Sequence, residues 1–76
     1  MKNFVVIGIQ TIMAQKGLIQ KYVAERAGLT EQQFSDMLNG RKIIRVEHLP
    51  LIARALDVDV RDICDAGLEG QEEEGA

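Results

Sequence analysis

The sequence predicts an all-α fold, a compact bundle of five short helices. Three observations predict it. Apolar residues recur at helical spacing, as in Phe34, Met37 and Leu38 and again in Leu49, Ile52, Ala53 and Leu56. Gly17, Gly28 and Asn39-Gly40 fall just past such stretches, where helices close. The chain has 76 residues and is 46% hydrophobic but poor in aromatics, so Leu, Ile, Val, Ala and Met must fill a single small core. No wide substrate cavity is expected.

The first helix is expected over Asn3–Lys16, with Phe4, Ile9, Ile12 and Met13 facing inward. Val5-Val6-Ile7 are β-branched and Gly8 interrupts, so local propensity is weak. Packing must hold the first two turns, and a short strand is the alternative. Gly17 ends the helix, and Leu18-Ile19 lead onward.

The stretch from Gln20 to Lys42 organises the rest. Its first helix turns Val23, Ala24 and Ala27 inward and stops at Gly28, which can take the left-handed conformation without steric cost. Thr30 opens the next helix. Its spacing to Gln33 suggests a capping box, the Thr30 hydroxyl accepting from the Gln33 N–H and the Gln33 side chain returning to Thr30. With Phe34, Met37 and Leu38 inward, Gln32, Asp36 and Asn39 face outward, flanked by Gln33 and Ser35. Arg41 and Lys42 follow at once. Two helices, a three-residue turn with Gly, and an amide-rich face ending in cations describe a helix-turn-helix of the DNA-reading kind at helices 2 and 3.

The pattern Gln20-x-x-x-Ala24-x-x-x-Gly28-Leu29-Thr30, then Phe34-Ser35 and Asn39-Gly40, resembles the phage-repressor (Cro/repressor, Xre-like) helix-turn-helix family. The resemblance covers roughly residues 5 to 65. Ile9, Ile12 and Lys16-Gly17-Leu18 are similar to the family's first helix, and Leu49, Ile52, Ala53 and Ala55-Leu56-Asp57-Val58 to its fourth. Many members pair an Arg at the position of Met13 with a Glu at that of Leu38. Both positions are apolar here, a consistent double change, since packed apolar groups can replace an ion pair without loss. A Met13–Leu38 contact is therefore expected.

Ile43 and Ile44 are adjacent in the following loop, where periodicity does not explain them. One can plug the core while the other stays half exposed, or the two can form a dimer seam. The fourth helix is expected over Glu47–Leu56, with Pro50 tolerated in its first turn. Asp59 then reads as the N-cap of a short fifth helix, Val60 to about Asp65, anchored by Ile63. The helix-turn-helix domain is thus expected over residues 1–66. Residues 67–76, with three glycines and four glutamates, read as a flexible acidic tail.

The net charge of −3 conceals an asymmetry. Residues 1–45 carry seven Lys or Arg against three acids, a net of +4, whereas residues 46–76 carry two against nine, a net of −7. The basic half holds the motif, and the local field decides what binds there. One histidine and one cysteine are too few for a metal site or a nucleophile–base pair. His48 is expected to be solvated and Cys64 to serve as a small apolar residue. No cofactor, catalysis or small-molecule substrate is expected. No apolar run is long enough to span a membrane, and the start lacks a secretory pattern, so a cytoplasmic protein is expected.

The expected partner is double-stranded DNA, where phosphate contacts supply affinity and base edges supply specificity. The resemblance assigns Gln20 to a phosphate, aided by the helix N-terminus, and places Asn39, Arg41 and Lys42 on the backbone across the groove. Lys21 joins them, although a solvated lysine explains it equally well. Gln32 leads the base-reading set because its amide can bond both N6 and N7 of adenine. Gln33 is also needed for capping, Ser35 is small enough to touch phosphate or base, and Asp36 could accept from cytosine N4. Thr30 completes the DNA-binding set. Glu31 reads as a first-turn acid favoured by the helix dipole. The expected function is sequence-specific transcriptional regulation, with repression the expected action, by a homodimer on half-sites about 34 Å apart. The resemblance would place its seam at Ile43, Ile44 and the fifth helix. The alternatives are the antitoxin of a toxin–antitoxin pair or a protein-interaction module on the same fold.

Overall fold

The computed structural model describes residues 3–75, with side chains through residue 69. Five helices follow in order: α1 (Phe4–Lys16), α2 (Gln20–Ala27), α3 (Glu31–Leu38), α4 (Leu49–Leu56) and α5 (Val60–Gly75). Among the described residues there is no strand. Val5-Val6-Ile7 are helical, because α1 lies along α5 and packing overrides their β preference. Asn3 caps α1, its side-chain oxygen accepting the Val6 N–H at 2.9 Å. The buried face of α1 is Val6, Gly8, Ile9, Ile12 and Met13, so Val6 takes the inward place expected of Phe4, which is half-buried.

The core gathers Ile9, Val23, Phe34, Met37, Leu38, Ile52, Leu56 and Ile63, all essentially inaccessible to water. Each helix supplies at least one of them. Removing this much aliphatic and aromatic surface from water is the main drive for a chain of this size. Met13 and Leu38 are both buried members of that cluster, on helices that touch.

Two boundaries differ from expectation. The segment before α4 forms a turn in which the His48 N–H bonds the Arg45 carbonyl at 2.9 Å, and the helix proper starts at Leu49 rather than Glu47. At the other end α5 continues to Gly75, well past Asp65, and the boundary expected after residue 66 falls inside it. Gly67 is buried rather than the first residue of a solvated tail. The reason is contact with α1: a Cβ on Gly67 would strike the Phe4 carbonyl, so the absent side chain is what lets the two helices meet there. The side chains of residues 70–76, most of the expected acidic tail, lie outside the described residues.

Lys16 ties the ends of α1 and α4 together. Its Nζ donates to the carbonyls of Leu56 at 2.9 Å and Asp57 at 3.4 Å. Those groups lie at the C-terminal end of α4, which Asp57 closes in the left-handed conformation with φ 61°. A cation there answers both the unpaired carbonyls and the negative end of the helix dipole.

Candidate nucleic-acid interface

The turn between α2 and α3 is Gly28-Leu29-Thr30. Gly28 has φ 77°, and the Leu29 N–H bonds the Ala24 carbonyl at 2.9 Å, which closes α2 tightly. Leu29 packs against the core. Thr30 and Gln33 then form the expected capping box: Thr30 Oγ1 accepts the Gln33 N–H at 3.0 Å, and Gln33 Oε1 accepts the Thr30 N–H at 2.9 Å. Both oxygens are therefore engaged in starting α3, leaving Gln33 its amide NH2.

Phe34, Met37 and Leu38 hold α3 by one face, and this rotates the polar residues outward. Glu31 and Gln32 are exposed, and Ser35 and Asp36 half-exposed. Gln20 comes to the same place from α2, because Gln20, Glu31, Gln32 and Ser35 line one shallow cleft between the first turns of the two helices. The N-cap of α2 is Ile19, so the first amides of that helix, beside Gln20, have no capping side chain. The cleft thus joins two carboxamides, a hydroxyl and the Glu31 carboxylate.

The outward side chains are also bonded to one another. Gln32 Nε2 donates to Asp36 Oδ1 at 2.9 Å, and Asn39 Nδ2 donates to Ser35 Oγ at 3.3 Å, each across one helical turn. After Asn39 the chain folds back on α3, the Arg41 and Lys42 N–H groups both reaching the Asp36 carbonyl, at 2.9 and 3.2 Å. Their cationic side chains are exposed at that end of the helix, and Lys21 is exposed near Gln20. Of the predicted set, Gln20, Gln32 and Ser35 are brought together at one cleft.

Ile44 packs on the core and Ile43 is 81% exposed, the division expected if one of the pair plugs the core. Other placements differ from expectation or lie beyond it. Val46, which the periodicity did not single out, is 87% exposed. Arg26 lies over the ring of the exposed Tyr22, 5.3 Å from its centre, a cation–π contact that the i, i+4 spacing could have suggested. His48 is half-buried rather than solvated, because the Arg45–His48 turn folds it inward, and its Nδ1 is buried with no hydrogen-bond partner. Cys64 is a free thiol, half-buried on α5. Among the described residues no three His, Cys, Asp or Glu gather as metal ligands, and no helix is long and apolar enough to cross a membrane.

A family model described as the Cro/C1-type HTH DNA-binding domain matches residues 9–67. The chain belongs to this DNA-binding family. The match runs from Ile9, within α1, to Gly67, so the glycine buried against α1 lies within the family's domain. Two crystal structures of the clp gene regulator ClgR from Corynebacterium glutamicum have a similar fold. One superposes with a TM-score of 0.85 at 20% identity, covering 96% of this chain and 78% of that one. The other gives 0.81 at 22% identity, covering 90% and 88%. At these identities the likeness concerns the fold. No curated protein matches the sequence. Membership of the Cro/C1-type family makes the chain a helix-turn-helix DNA-binding domain, as the resemblance of the motif implied.

Proposed function

We propose that this protein is a sequence-specific transcriptional regulator that lays α3 in the major groove of an operator and represses by occupying it, in the cytoplasm, as a homodimer. The observation that carries the reading is the division of α3 into a face locked by Phe34, Met37 and Leu38 and an opposite face of Gln32, Ser35, Asp36 and Asn39. A helix so held cannot roll, and its reading side chains stay aimed at the groove. Gln20 and the open N-terminus of α2 take a phosphate on one side. Lys21 supports them, and Arg41, Lys42 and Asn39 take phosphates on the other side. Gln32 reads bases first, with Ser35 and Asp36 beside it. Thr30 and Gln33 serve mainly to start the helix, and the free NH2 of Gln33 is left for the DNA.

One short helix reads few base pairs, so useful affinity calls for two copies on a two-fold site. Ile43, beside the half-buried Ile44, and Val46, three residues on, offer the seam, since exposed β-branched residues gain by being covered. The same two residues, with Glu31 and Asp36 at the reading face, favour a protein partner as the second reading, the one an antitoxin or interaction module would need. Selection of bound sequences from a random duplex pool, followed by salt titration, separates the two. A two-fold repeat bound less tightly as salt rises supports the regulator. A protein that enriches nothing even at low salt, yet binds a protein partner through α3, would overturn it.

A further inference from the structure

We propose that Asp36 is a positioning residue for Gln32 and thereby sets which base pair α3 accepts; this rests on the reading of α3 as the base-reading helix. The two side chains stand one turn apart on the outward face, with Gln32 Nε2 donating to Asp36 Oδ1 at 2.9 Å. A carboxylate can only accept, so the amide must turn its nitrogen toward Asp36. The flipped amide would set Oε1 against the carboxylate, two acceptors facing one another. Asp36 therefore removes the twofold ambiguity of a glutamine side chain, and Oε1 and the second N–H remain, in one order along the helix.

Adenine presents the matching pair in the major groove, an N6 donor beside an N7 acceptor. An amide free to flip meets that pair in either order, and so accepts adenine on either strand. Held by Asp36, it meets one order and selects adenine on one strand. Gln33 cannot substitute, because its oxygen is committed to the Thr30 N–H. The same arrangement explains a carboxylate on a surface meant for a polyanion. Asp36 repels phosphates whatever the sequence, so it lowers affinity for all DNA while sharpening the choice among sites.

The test uses the full chain and the wild-type site selected from a random duplex pool. At the base pair whose preference is abolished by Gln32→Ala, relative affinities for the four possible pairs are measured with the wild type, Asp36→Ala and Asp36→Asn. Circular dichroism melting checks the fold, and neither change touches the Asp36 backbone carbonyl that holds the Arg41 and Lys42 amides. The wild type should prefer one pair by roughly 5- to 150-fold. Asp36→Ala should lose most of that preference while binding mixed-sequence duplex more tightly. Asp36→Asn can turn either Oδ1 or Nδ2 toward Gln32, so it no longer fixes the amide and should also lose most of the preference while gaining on mixed duplex. Full preference in a folded Asp36→Ala protein would overturn the inference alone, as would full preference in Asp36→Asn. If Gln32→Ala abolishes no preference of a wild type that does select a site, Gln32 is not the reader and the inference falls. A wild type that selects no site would overturn the base-reading role of α3 itself.

Discussion

Gly8 and Gly67 meet where α1 crosses α5: a Cβ on Gly8 would lie 3.1 Å from the Gly67 amide nitrogen and would strike the Ile63 carbonyl, while a Cβ on Gly67 would strike the Phe4 carbonyl. The contact is backbone against backbone in both directions. Neither glycine has positive φ, so each is present for space rather than for conformation. Within a helix a glycine costs roughly 0.5–1 kcal/mol relative to alanine, and the close approach of the two helices offsets that cost.

The sign of the effect at these positions is therefore testable. Helix propensity alone expects Gly8→Ala and Gly67→Ala to stabilise, whereas the packing expects each to destabilise by about 1–3 kcal/mol or more, since rigid backbone must move. Urea unfolding followed by circular dichroism distinguishes the two. Higher midpoints in both variants would show that α1 and α5 do not approach in this way.

Removing the box that starts α3 should act on stability and on DNA binding together. Thr30→Ala should cost about 1 kcal/mol, because the Gln33 N–H loses its acceptor. Gln33→Ala removes the reciprocal bond to the Thr30 N–H. The two bonds form one motif, so the double variant should lose less than the sum of the singles. Additive losses would mean that Gln33 contributes by another route.

Much of this was legible because it is local. The capping box, the inward set Phe34, Met37 and Leu38, and the Gly28 turn each depend on residues within one or two turns, where spacing dictates geometry. The outward set followed from the inward one. What escaped depends on distant chain. Gly8 read as a weakness and Gly67 as the head of a solvated tail because the backbone that each makes room for, at Ile63 and Phe4, lies 55 and 63 positions away. Lys16 counted toward the basic surface, although its ammonium is held by carbonyls 40 and 41 residues on. Spacing could have suggested the Gln32–Asp36 bond at i, i+4, but two residues each considered for DNA contact were not considered for each other.

Lys16→Met tests the tie between α1 and α4. The methylene stem is largely retained, while the donor to Leu56 and Asp57 is lost. A loss of about 1 kcal/mol is expected, in line with a cation at a helix C-terminus. The loss should shrink at high salt, because the exposed charge is screened. An equal loss at low and high salt would assign the effect to packing of the stem.

Phosphate contacts and base contacts should separate in the salt dependence of DNA binding. Arg41 and Lys42 stand exposed at the C-terminal end of α3, attached through their own amides to the Asp36 carbonyl, so their charges are carried on a segment fixed to the reading helix. Replacing both with alanine should weaken binding to every sequence and reduce the slope of log affinity against log salt by about 2, one for each phosphate released. Gln32→Ala should leave that slope unchanged and relax the choice at one base pair. The acidic half of the chain makes the first result more telling. With −7 on residues 46–76 against +4 on residues 1–45, few cations are left to compensate, and the double variant should fall steeply in affinity at physiological salt. An unchanged slope in the double variant would move the phosphate contacts to Gln20, Lys21 and the open end of α2.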